Sequence, residues 1–211
     1  MSKPKLVCFD LDDTLIREIH SVMFPCVLNG KEEEHAEIQK LEENGVLDYI
    51  AADRRRAKLL CGLPECKISN MFSEILKPIN NVTSVIKTLH DNNILSIVVT
   101  VGPKQVAKAA KEAWGLDGYF GSDYEVIDGM FTGKILDYIV ADGKIVCLQK
   151  FCVKHNICSE DCIAVGDGST DIPLFEYCGK SIAINYSPAV LGKATYYLRT
   201  NDLTDILQYI I

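Results

Sequence analysis

At 211 residues, with 48% hydrophobic and 24% charged side chains, the chain is long enough for one sizeable core and a small inserted subdomain. A formal net charge of −7 disfavours a nucleic-acid partner, and an anionic substrate would need local positive charge or a metal. No apolar run reaches the length of a membrane span, which argues against a membrane partner. In chain order, the start Met1-Ser2-Lys3-Pro4 lacks the apolar region of a signal peptide, so a cytoplasmic protein is expected. The first element is Lys5 to Phe9, an apolar extended run that reads as a buried strand. Asp10 and Asp12 follow it at once and share a face if the chain stays extended. Two like charges that close need a cation between them or a proton held on one.

From about Ile16 to Lys77 no convincing strand is readable, only helical and charged segments such as Lys31-Glu32-Glu33-Glu34-His35-Ala36-Glu37. The natural reading is a helical subdomain inserted after the first strand and sitting over the site. Strand and helix then alternate. Val82 to Asp91 reads as a helix, Ile94 to Thr100 as a strand and Pro103 to Trp114 as a helix. Thr100-Val101-Gly102-Pro103 joins the last two: a hydroxyl at the strand end, a glycine permitting close approach, and proline at the first helical position. The free amides of that first turn favour phosphate. Tyr124 to Ile127 and Met130 to Ile135 read as a hairpin about Asp128-Gly129, whose residues tolerate the positive φ of a tight turn.

Residues 142–156 read as a helix with Lys144 near its start, where a cation opposes the dipole. Cys162 to Val165 and Ser181 to Ile184 read as strands, Asp171 to Cys178 as a helix and Asp202 to Ile211 as a closing helix. Between the first two lies Gly166-Asp167-Gly168-Ser169-Thr170-Asp171, where the glycines permit a sharp turn and two acids project near the sheet edge. Hard oxygen ligands of this kind suit Mg²⁺; the alternative is an Asp171 that merely caps the next helix. Nine cysteines without a C-x-x-C pair, and four histidines without ligand spacing, argue for reduced thiols over zinc or a disulfide framework. The alternation predicts an α/β fold, a Rossmann-like, mostly parallel sheet with helices on both faces and a site at the carboxyl ends of the strands. The expected division is a core of residues 1–16 and 78–211, an all-helical cap over 17–77 and a β-hairpin flap.

In their order, Asp10-x-Asp12-x-Thr14, Thr100, Lys144 and Gly166-Asp167-Gly168-x-x-Asp171 resemble the four motifs of the haloacid dehalogenase superfamily of phosphotransferases. The similarity runs over nearly the whole chain. The run Arg56 to Pro64 and Asp171-Ile172-Pro173 look most like the phosphoserine phosphatase branch. The resemblance implies that Asp10 is the nucleophile forming an aspartyl-phosphate and Asp12 the general acid and base. It implies Mg²⁺ held by the Asp10 carboxylate, the Asp12 backbone carbonyl and Asp167, with Asp171 in support. Thr100 and the amides of Val101 and Gly102 would bind phosphoryl oxygens, and Lys144 would stabilise charge on Asp10 and phosphate. Thr170 in the last motif, and Arg56, aligned with the arginine that holds a substrate carboxylate, complete the implied substrate contacts. Three positions depart from the branch: Val101 and Thr170 replace Gly and Asn, and Ile19 stands where a glutamate holds the substrate ammonium.

The expected function is therefore a Mg²⁺-dependent phosphomonoesterase acting on a small phosphorylated metabolite, as a monomer or homodimer, with the insert as its lid. Phosphoryl transfer to another alcohol would use the same residues. A catalytically silent domain that binds a phosphorylated ligand is disfavoured, because no motif acid is missing.

Overall fold

The computed structural model describes residues 3–211; Met1 and Ser2, included in the expected core segment 1–16, lie outside the described residues. Strand β1 is Leu6–Phe9, followed by β2 (Ile16–Arg17), helices α1 (Met23–Leu28), α2 (Glu32–Glu43), α3 (Tyr49–Leu59) and α4 (Cys66–Ile75), and β3 (Lys77–Pro78). Next come α5 (Val82–Asp91), β4 (Leu95–Pro103), α6 (Lys104–Trp114), β5 (Gly118–Ile127) and β6 (Met130–Asp137). The chain ends through α7 (Ala141–His155), β7 (Cys162–Gly166), α8 (Ile172–Tyr177), β8 (Lys180–Ile184) and β9 (Tyr196–Leu198). Seven strands form one sheet in the order β6-β5-β4-β1-β7-β8-β9, parallel except for β6, and β2 pairs with β3 separately.

Strand alternation assigns the two faces. Val7 and Phe9 of β1 enter a core with Val85 and Ile86 of α5 and Val106 of α6. Leu6 and Cys8 enter the opposite core, with Leu148 and Phe151 of α7 and Leu174 and Phe175 of α8. All four β1 side chains are fully buried, as expected for the central strand of a parallel sheet covered on both faces. Asp10 continues the parity of Leu6 and Cys8, toward the α7 face.

Several expectations are corrected. The segment from Ile16 to Lys77 does contain strands, but β2 and β3 have two residues each, too few to carry a periodic signal. Strand β4 runs on through Val101, Gly102 and Pro103, so Pro103 is the N-cap of α6 and not its first helical residue. The expected hairpin is present and is continuous with the main sheet. The first half of β5 pairs in parallel with β4, at Ile97↔Gly118 and Val98↔Tyr119, and its second half pairs antiparallel with β6. Its turn residues Asp128 and Gly129 have φ of 51° and 75°, as a two-residue type I′ turn requires. The closing segment Leu203–Tyr209 is 3₁₀. Its buried Leu203 and Ile206 are three residues apart, which suits three residues per turn. Strand β9 has three half-buried residues at the sheet edge and offered no alternation to read. All nine cysteines are free, and no helix is long and apolar enough to cross a membrane among the described residues.

Candidate active site

The carboxyl ends of β1 and β7 bring three acids together. Asp10, directly after β1, is 5% exposed and donates its amide to the Val165 carbonyl at 2.8 Å. Lys144, in the first turn of α7, is fully buried and donates to Asp10 Oδ1 at 2.6 Å and Asp171 Oδ1 at 2.7 Å. Its misplacement against the helix dipole is thus offset by two carboxylates. Asp171 does not cap α8 with its side chain; its Oδ2 instead accepts from the amides of Asp167 and Gly168, each at 3.1 Å. Gly166 makes room for this fold-back, since a Cβ there would lie 2.4 Å from the Asp171 carboxyl. Thr170 sits half-buried in the 3₁₀ turn Ser169–Asp171.

Asp10, Asp167 and Asp171 each offer an oxygen within 4.8 Å of the other two. Three carboxylates face one ammonium, and the imbalance shows in their acidity. Burial pushes the Asp10 carboxyl well up, against the pull of Lys144, and Asp171, Asp167 and Asp12 add to the rise. Burial and then Asp171 push Asp167 up to about 7. Lys144 loses solvation on burial, but Asp10 and Asp171 more than offset this and raise its pKa. A hard divalent cation fits an all-oxygen donor set with excess negative charge. Because both Asp171 oxygens are already bonded, Asp10 and Asp167 are the freer ligands.

Asp12 lies outside that group. Its Oδ1 and Oδ2 accept from the amide and hydroxyl of Ser21, each at 2.5 Å, and Thr100 Oγ1 lies 3.5 Å from Oδ2. The Gly102 amide donates to Thr100 Oγ1 at 3.0 Å, and the Val101 carbonyl accepts from Ser122 at 2.6 Å. The expected phosphate corner is therefore closed upon itself, with Thr100 at its centre. A Cβ on Gly102 would lie 2.1 Å from Ser21 Oγ, so only glycine lets Ser21 reach Asp12 here. Sequence reasoning missed Ser21, because nothing in its spacing from Asp12 signals the contact.

A cavity of ≈580 Å³ opens from Asp12 between the first-motif loop and helices α2 and α3. Arg56 lines it but is not part of a solvated basic face: Arg54 and Arg55 are exposed, whereas Arg56 is 5% exposed. Nor is its guanidinium free for a substrate carboxylate as expected. Nη1 donates to Asp53 Oδ1 at 2.9 Å, and Nη2 to Gln39 Oε1 at 2.5 Å and Glu42 Oε2 at 2.6 Å. Ile19 packs against the hydrophobic core. Two histidines without an assigned role also line the cavity, with pKa values shifted in opposite directions. Asp13, bonded to His20 at 3.1 Å, raises His20 to about 9; burial and the nearby Arg56 lower His35 to about 4.

The family model for haloacid dehalogenase-like hydrolases matches residues 7–176, which span every element of this site. The chain belongs to that family. A phosphoserine phosphatase of Methanocaldococcus jannaschii is 33% identical over 99% of this chain and 98% of its own length. One from Saccharomyces cerevisiae is 36% identical over 96% of this chain and 66% of its own length. A solved phospho-aspartyl intermediate analogue of phosphoserine phosphatase superimposes with a TM-score of 0.82 at 32% identity, covering 100% of both chains. A substrate-bound phosphoserine phosphatase complex gives 0.83 at 31% identity, again over the full length of both. This haloacid dehalogenase-like hydrolase is a phosphomonoesterase, and the fold is the one expected from the strand and helix alternation.

Proposed function

We propose that this phosphatase uses Mg²⁺ to hydrolyse a small phosphorylated metabolite through an aspartyl-phosphate on Asp10. The observation that carries the reading is the separation of the two first-motif acids: Asp10 is buried against Lys144, Asp167 and Asp171, whereas Asp12 lines the cavity. In the first step an Asp10 oxygen bonds to phosphorus as the bond to the leaving oxygen breaks, and Asp12 protonates the departing alkoxide. In the second, Asp12 takes a proton from water as that water attacks phosphorus, which frees Asp10 and releases inorganic phosphate. Lys144 orients Asp10, and its charge opposes the effect of burial on that carboxyl. The Thr100 hydroxyl and the Val101 and Gly102 amides take phosphoryl oxygens once Thr100 exchanges its contact with Gly102 for phosphate, and Thr170 adds a further substrate contact. Asp10, Asp167 and the Asp12 backbone carbonyl would hold Mg²⁺, with Asp171 in support; when bound, it offsets carboxylate charge and polarises the phosphoryl oxygens.

The same reading takes residues 1–16 and 78–211 as the core and 17–77 as a cap that excludes water during chemistry. It is supported by the pairing of the segments that enter and leave the insert, Ile16↔Pro78 and Arg17↔Lys77. The test is hydrolysis of p-nitrophenyl phosphate with Mg²⁺. Turnover that is lost on chelation and abolished in Asp10→Asn is expected; an inert wild-type protein with Mg²⁺ bound would contradict the proposal.

A further inference from the structure

On the basis of that phosphatase reading, we infer that the leaving group is an amino alcohol, carrying an ammonium and no carboxylate. The cavity into which Asp12 would release it is lined by five carboxylates, Asp12, Glu18, Glu42, Glu43 and Asp53. Glu18 is paired with Lys77 at 2.7 Å, and the cationic His20 with Asp13, so those charges are met outside the cavity. With Asp12 carrying the proton it gives to the leaving group, Lys40 and Arg56 oppose Glu42, Glu43 and Asp53, leaving one negative charge in excess. His35 adds no positive charge at neutral pH, because burial holds it near 4. A carboxylate on the substrate would add to this excess, whereas an ammonium relieves it.

The geometry of Arg56 makes the same choice independently. A guanidinium grips a carboxylate with two parallel N–H groups, through either its Nη1–Nη2 edge or its Nε–Nη2 edge. Both edges need Nη2, and both Nη2 hydrogens go to Gln39 and Glu42. Nη1 is tied to Asp53, whose other oxygen accepts from the Tyr138 hydroxyl at 2.5 Å. The buried Nε, which has no partner, offers a single hydrogen bond, enough for one neutral oxygen. Two acids against one guanidinium also cancel its attraction for an anion. Glu42, with a quarter of its side chain exposed, is left as the acceptor for an ammonium.

The test compares kcat/KM for O-phosphoethanolamine, O-phosphoserine, glycerol phosphate and p-nitrophenyl phosphate, with Mg²⁺ present. O-phosphoethanolamine is expected to exceed O-phosphoserine and glycerol phosphate by about tenfold or more, the worth of one partly screened charge contact. In Glu42→Gln its advantage over O-phosphoserine should shrink by a similar factor, a change of ratio that a merely structural role would not produce. Asp53→Asn serves as the second variant, and the wild-type comparison stands if neither folds. O-phosphoserine or glycerol phosphate turned over as well as the amine, or a ratio unmoved in both variants, overturns the inference while leaving the phosphatase intact. Failure on every ester, the aryl phosphate included, overturns both.

Discussion

Asp12 accepts two short bonds from Ser21, from its amide and its hydroxyl, with Thr100 Oγ1 farther off at 3.5 Å. Removing the hydroxyl leaves the amide contact but frees one carboxylate oxygen to rotate, and misorientation of a proton donor acts on the transition state. Ser21→Ala is expected to lower kcat about tenfold with little change in KM, read from steady-state kinetics on p-nitrophenyl phosphate. His35 gives a stability signature instead. Its folded pKa, near 4, lies below the value near 6.5 of an unfolded histidine, so the unfolded state binds the proton first. Its neutral form favours folding above about pH 6.5, and that contribution is lost as pH falls toward 4. The unfolding free energy should drop over this window by on the order of 2 kcal/mol, and His35→Gln should flatten that part of the profile in urea titrations.

At the level of elements, the site depends on how β1, β4 and β7 end. The parity of β1 sends Asp10 toward α7, where Lys144 waits, and that much was legible because alternation is local. The acidic turn after β7 was legible for the same reason, and the alternative of a cap falls away: Asp171 bonds Lys144 and two amides, and does not cap α8. What was not legible depends on chain segments far apart. The partners of Arg56 include Gln39 and Glu42 from α2, and only Asp53, three residues earlier on α3, lay within reach of a helical pattern. Ser21 meets Gly102 across eighty residues, at an approach that glycine alone allows. Gly102→Ala should therefore push Ser21 off Asp12, lowering kcat at least as far as Ser21→Ala and costing about 1–3 kcal/mol of stability by overpacking. Unchanged kinetics in that variant would separate Ser21 from the positioning of Asp12.

For the molecule as a whole, β5 is the bridge. It starts in the main sheet beside β4 and ends in a hairpin that bonds to the loop between α3 and α4. Gly62 donates to Phe131, Phe131 to Leu63, and Glu65 to Gly129, each at 2.9 Å. With the β2–β3 pair, the inserted helices are thus tied to the sheet at two places, and the cavity between them opens from Asp12. Motif order made the chemistry readable before the structure, while the charge balance of that cavity needed all of its walls in place. The most direct test of the account is a rapid acid quench of the wild-type enzyme turning over a radiolabelled phosphomonoester with Mg²⁺, followed by peptide mapping. Label on the peptide bearing Asp10, absent in Asp10→Asn, is the predicted result; phosphate release with no label on Asp10 at any quench time, or label on another residue, would contradict it.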